Sequence, residues 1–165
     1  MKITKISLVL FAAFIALFIS CDVSSDDDAT ELPNFDVLGL YDLVEVNVNP
    51  ALDLNEDGTA STNMVDELDC LSGTLLIDGD LVWTLSQVDL VVNTIPIGEL
   101  LFVIDCADTT AVSGTWFSDE TEVTFSGDPA LSTLEILDNG DRLINTVGED
   151  LPGFMSFVYE RRIVN

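Results

Sequence analysis

Thr74-Leu75-Leu76-Ile77-Asp78-Gly79-Asp80-Leu81-Val82-Trp83-Thr84-Leu85 sets two apolar runs on either side of an Asp-Gly pair. Asp-Gly favours a tight reversal, and aliphatic and aromatic residues fit a pleated surface, so the stretch reads as a β-hairpin. The same pattern recurs where Leu131–Leu137 and Arg142–Val147 are joined through Asp138-Asn139-Gly140-Asp141. Outward from these, Leu40–Val48 alternates around Leu43, Val44, Val46 and Val48, and Val88–Val92 continues in strand mode. Glu99–Asp105 carries Leu100, Phe102 and Ile104 on one face, and Val112–Phe117, Glu122–Ser126 and Phe154–Arg161 complete the series. Successive strands with short polar turns predict an antiparallel meander. A single short helix is expected after the first strand, capped by Ser61 or Thr62 and running from Asn63 through Met64, Val65 and Leu68. Asp66 and Glu67 lie near its start, where the helix dipole favours acid. Closing the sheet on itself removes its exposed edges. The expected fold is therefore all-β, an antiparallel up-and-down barrel of about eight strands. A two-sheet sandwich is the competing arrangement.

Charge narrows the partners. The chain has 30 Asp and Glu against 5 Lys and Arg, no histidine, and a net charge of −25. Both lysines, Lys2 and Lys5, precede residue 21, so the remainder holds three arginines and carries −27. Nucleic acid is excluded as a direct partner, because binding it requires clustered positive charge. Without histidine there is no Ser-His-Asp or Cys-His constellation, and no carboxylate pair stands out among so many. The expectation is a non-enzymatic protein. Trp83, Trp116, Phe102, Phe125 and Phe157 lie on strands, where core filling is the plainer role than a sugar platform.

The N-terminal region carries an address. Lys2 and Lys5 precede an apolar run, Ile6–Ile19, that is shorter than the roughly 20 residues needed to span a bilayer. Phe18-Ile19-Ser20-Cys21 closes it, and the whole resembles a bacterial lipoprotein signal, in which the cysteine is lipidated and the bond before it is cut. That resemblance implies a signal peptide over 1–20, a lipid on Cys21 and an acidic flexible tether over 21–35. The Ser-Asp-Asp-Asp stretch Ser25–Asp28 also resembles the acidic surface-export signal of Bacteroidetes lipoproteins, although a plain solvated spacer has the same composition.

With Cys21 assigned to lipid, Cys70 and Cys106 remain as an even pair in an oxidising compartment. A disulfide between them is expected to stabilise by about 3–4 kcal/mol through loop closure; two buried free thiols are the alternative.

Asp53-Leu54-Asn55-Glu56-Asp57-Gly58-Thr59-Ala60-Ser61 follows the first half of an EF-hand loop. Side-chain oxygens fall at Asp53, Asn55 and Asp57, Gly58 supplies the sharp turn, Thr59 a carbonyl and Ser61 a water-mediated contact. Met64 occupies the position of the bidentate glutamate, leaving Glu67 or Asp66 to reach back. The stretch is either a Ca2+ site or a solvated polar turn.

From residue 36 to the C-terminus the chain resembles the lipocalin-like lipoproteins of Bacteroidetes. The resemblance rests on Leu38-Gly39-Leu40-Tyr41, on the Asp53–Gly58 segment, on Cys70 before the next strand and on Gly114-Thr115-Trp116. Lipocalins open on Gly-x-Trp with an arginine packed over the ring, so the likeness implies Tyr41 in the tryptophan's place and Arg161 or Arg162 as cation–π partner. It also implies a barrel domain over 36–165, attached by lipid to the outer membrane and exposed at the cell surface. Such a domain would bind a small apolar ligand, or else act as a packed interaction module touching an envelope protein or glycan. Inner-face size separates the two: Trp83, Trp116 and Phe125 turned inward would fill the lumen.

Overall fold

In the computed structural model, residues 32–97, 99–147 and 153–163 are described, with only the backbone for 94–97 and 99–103. The segment 1–31, with the signal peptide, Cys21 and most of the tether, lies outside these residues. So do the side chains of Leu100 and Phe102.

Nine strands follow in order: β1 (Gly39–Leu52), β2 (Ser61–Asn63), β3 (Gly73–Ile77), β4 (Val82–Ile97), β5 (Glu99–Ser118), β6 (Glu122–Ser126), β7 (Thr133–Leu137), β8 (Arg142–Thr146) and β9 (Phe154–Arg161). Each neighbouring pair is antiparallel, and β1 pairs with both β3 and β9. Eight strands thus close into an up-and-down barrel, with β2 as an extra strand beside β1. Closure runs from Tyr41↔Arg161 to Val48↔Phe154.

The strands' own directions define two ends. Gly39, Ile77, Val82, Ser118, Leu137 and Arg161 gather at one, called here the closed end; Val48, Gly73, Gln87, Thr110, Ser126, Thr146 and Phe154 gather toward the other, the mouth. Before the first strand, a 3-10 turn over Phe35–Val37 lies across the closed end. Asn34 N–H donates to the Ser118 carbonyl at 2.9 Å, and Ser118 Oγ returns a bond to the Asn34 carbonyl at 2.6 Å.

Three local expectations are corrected. The helix after β1 is only a three-residue 3-10 turn, Met64–Asp66, and its cap is Asn63 rather than Ser61 or Thr62. Asn63 is already engaged: its Oδ1 accepts from Val46 N–H at 2.9 Å as well as from Val65 N–H at 3.1 Å. Drawn toward β1 in this way, 61–63 form a strand instead of a first helical turn.

The β3–β4 hairpin turns where Asp78-Gly79-Asp80 places it, but Leu81, read as the first residue of the next strand, belongs to the loop. Asp78 pairs with Val82 through N–H to carbonyl at 3.0 Å, and the left-handed position is taken by Leu81 (φ 61). Asp78 Oδ1 accepts from the backbone of Asp80 and Val82, which holds a three-residue loop of the kind that ends in one left-handed residue. The β7–β8 loop likewise strings Asp138, Asn139 and Gly140 together at positive φ. Gly140 is required there, since a Cβ would come within 2.6 Å of the Asp36 carbonyl oxygen.

Finally, Val88–Val92 continues the strand of the Leu81–Leu85 run as expected, whereas Glu99–Asp105 and Val112–Phe117, expected as separate strands, are one. β4 and β5 form a long hairpin with a register shift between Val88 and Leu90. Before the shift Trp83 and Leu85 are buried; beyond it Leu90 and Val92 pack on the core. A bulge of this kind changes which alternate residues face inward.

Candidate functional site

The closed half of the barrel is filled. Trp83, Trp116 and Phe125 are all turned in and buried, with Tyr41, Leu75, Leu134 and Leu143 between them. Trp83 meets Phe125 edge to face at 5.4 Å, an arrangement that matches ring edge to ring face. Its indole N–H donates to the Ser126 carbonyl at 3.1 Å, across Gly114, where any Cβ would collide with that carbonyl. The Trp116 indole donates to the Asp78 carbonyl at 2.9 Å. By the inner-face test, this half is a packed core.

Tyr41 closes the base. Its hydroxyl lies 2.8 Å from the Val37 carbonyl oxygen and 2.7 Å from that of Gly140, and accepts from Arg161 Nη2 at 3.1 Å. The Arg161 guanidinium stands 5.5 Å from the Tyr41 ring centroid, so Arg161 rather than Arg162 makes the cation–π contact. Burial raises the Tyr41 phenol above its ordinary range, against the lowering effect of Arg161. Arg162 instead pairs with Asp42 on the outside and holds that carboxyl below the usual range through a charge-assisted hydrogen bond.

The mouth is different. A cavity of about 400 Å3 opens there, lined by Leu85, Gln87, Asp89, Asn145, Phe157 and Tyr159 among others. Tyr159 is buried, and desolvation pushes its phenol far up, so it stays a neutral hydrogen-bond donor. That hydroxyl donates to Gln87 Oε1 at 2.7 Å, which turns the Gln87 amide nitrogen away from the tyrosine. Thr110 Oγ1 donates to Asp89. Phe157 lies parallel to Phe154 at 6.3 Å and offers an aromatic wall. Of these residues the sequence reading named Leu85, on an apolar strand run, and Phe157, as core. A polar residue at an inward strand position (Gln87, Asn145) is the signal that would have found the rest.

One flank of the mouth is built by the chain between β1 and β3. Met64 and Leu71 are buried, and Leu54, Val65 and Leu68 pack beside them. Cys70 and Cys106 form a disulfide that joins this flank to β5, as the cysteine count predicts.

The Asp53–Ser61 loop lies on the same flank. Asp53 Oδ2 accepts from Gly58 N–H at 3.0 Å, Asn55 Oδ1 from Asp57 N–H at 2.9 Å and Asp57 Oδ1 from Thr59 N–H at 2.7 Å. Ser61 Oγ donates to Asp66 at 3.0 Å. Glu67, buried at 6% exposure, accepts from Leu54 N–H at 2.9 Å and Asn55 N–H at 3.3 Å. Its carboxylate thus pins the start of the loop. Among the described residues no three His, Cys, Asp or Glu side chains converge as a metal would need.

No family model, curated protein or solved structure matches the chain.

Proposed function

We propose that the chain is a lipid-anchored β-barrel binding module of the bacterial envelope, non-enzymatic, that takes a small ligand at its mouth. The carrying observation is the division of the barrel interior. Aromatic residues fill the closed half, and a cavity of about 400 Å3 remains at the mouth, within the range of small-molecule sites. A ligand lies above Leu85 and Tyr159, not along the whole barrel axis. The Tyr41–Arg161 contact and the N-terminal signal both support a lipocalin-like lipoprotein of the Bacteroidetes outer membrane, exposed at the cell surface.

The test is native mass spectrometry of the chain purified from its own membrane, alongside Cys21→Ser. The wild type should carry lipid mass and a retained small molecule, and Cys21→Ser should leave the membrane fraction. A membrane-bound Cys21→Ser variant with its signal uncleaved would defeat the anchor. A wild type that never retains or accepts any small molecule would defeat the binding role.

A second reading is favoured by the length of β4 and β5, 16 and 20 residues, against five for each of β6, β7 and β8. Their hairpin runs on past the mouth and offers a long stretch of paired backbone to a protein or glycan partner. Calcium at the Asp53–Ser61 loop belongs with this proposal. Asp53, Asn55 and Asp57 already share one turn around Gly58, and the ion would take carboxylate oxygens now shared with loop N–H groups.

A further inference from the structure

We infer that the mouth is built for an organic cation, an ammonium group carried on an apolar body; this rests on the mouth-binding reading above. Among the described residues the cations are Arg142, Arg161 and Arg162; Arg142 and Arg161 sit on strand segments of the closed half, and Arg162 follows directly after the end of β9. Each is already neutralised: Arg142 by Glu45 at 3.3 Å and Glu160 at 3.4 Å, Arg161 by Asp141 at 3.5 Å, Arg162 by Asp42. None lines the mouth cavity.

The cavity holds the opposite charge. Asp89 lines it, at the register shift between Val88 and Leu90 that reorients this part of β4. The Thr110 hydroxyl donates one hydrogen bond to the carboxylate, without neutralising it. Phe157, Tyr159 and Leu85 line the same cavity, so the carboxylate shares it with aromatic rings, a side-chain type that attracts cations, and with an apolar wall. Around the whole site lies a chain of net charge −25, whose field focuses cations into a low-dielectric cleft and repels anions. A carboxylate- or phosphate-headed ligand would meet Asp89 with no compensating cation. A neutral polyol would gain nothing from the field. An amine with an apolar tail satisfies both the charge and the walls.

The decisive experiment keeps one six-carbon tail and changes the head. Hexyltrimethylammonium, hexanoate and hexyl glucoside are titrated calorimetrically into the full chain, into Asp89→Asn, and into Glu120→Gln at the opposite end. The cation should bind the wild type at least about tenfold more tightly than either other probe, a difference of about 1.4 kcal/mol. Asp89→Asn should abolish most of that preference, Asp89→Glu restore it, and Glu120→Gln leave it intact. Equal loss in Asp89→Asn and Glu120→Gln would mean a diffuse surface field and would overturn the site. If hexyl glucoside binds as tightly as the cation, the cation inference fails while mouth binding stands. If no probe binds, mouth binding fails with it.

Discussion

Tyr41 and Tyr159 both line the inner wall, on adjoining strands, where Tyr159 pairs with Leu43 two residues along from Tyr41. The Tyr41 hydroxyl is surrounded by the carbonyls of Val37 and Gly140 and the Arg161 guanidinium. The Tyr159 hydroxyl has the Gln87 side chain, which itself borders open space. Two identical side chains thus mark two regimes. At the closed end, polar groups are tied to backbone that shapes the base. At the mouth, they are tied to other side chains, which have more rotamers open to them than backbone has. The difference locates adaptability in one half of a single barrel.

The contrast predicts unequal sensitivity. Trp83→Ala, which empties the closed half and strands the Ser126 carbonyl, should cost about 3–5 kcal/mol in urea unfolding. Asn145→Ala at the mouth should cost under about 1 kcal/mol. Similar losses at both positions would erase the division. Next in size is the disulfide: Cys70→Ser with Cys106→Ser should lower stability by about 3 kcal/mol, read as a shift of the denaturant midpoint. If the division is right, most of this loss falls on the flank of the mouth, so hydrogen exchange should speed near Met64–Leu71 more than near Tyr41.

Alkaline titration sharpens the comparison between the tyrosines. Both phenols are raised in the folded chain, so their contribution is complete below the unfolded tyrosine value near 10. Above it the unfolded chain loses protons that the folded chain keeps, and stability falls as pH rises. Tyr159→Phe should remove more of that fall than Tyr41→Phe, because Arg161 offsets part of the burial only at Tyr41. Equal slopes would contradict the two environments.

A smaller effect is expected from calcium. It should raise the melting temperature of the wild type more than magnesium does, and Asp53→Ala with Asp57→Ala should abolish the difference; a site of about 0.1–1 mM is expected, as in extracellular modules. An equal gain in the double variant would leave the loop as a polar turn. Smallest is Leu81→Gly, which relieves a left-handed leucine (φ 61) and should stabilise by up to about 1 kcal/mol in the same urea assay.

Most of the barrel was legible because its inward residues are apolar. The alternation in Leu40–Val48, the hairpin around Asp78 and the Cys70–Cys106 pair all follow from rules of burial and spacing. What escaped was the continuity of β5, where Cys106–Ala111 between the two apolar runs carries little apolar alternation. In β4, Ser86, Gln87 and Asp89 interrupt the apolar pattern within one strand. Gln87 and Asp89 line the cavity, so the residues that break the pattern are the ones that equip the mouth. Pattern reasoning assumes that inward means apolar, and a polar site breaks that assumption. The left-handed Leu81 was missed for another reason: Gly79 is the better residue for that conformation, but the Asp78 side chain fixes the loop so that the left-handed position falls two residues later.

The segment crossing the closed end has a mechanical consequence. A pull applied at Leu32 would first meet the reciprocal Asn34–Ser118 bonds on β5 and the edge contact of Phe35 with Trp116. It would then meet Arg161 of β9, which donates to the Asp36 carbonyl, and the Tyr41 hydroxyl of β1 at the Val37 carbonyl. Tension is therefore shared among three strands before β1 can peel from its partners. A module held in flow by its N-terminus would keep its mouth undistorted while its base took the load.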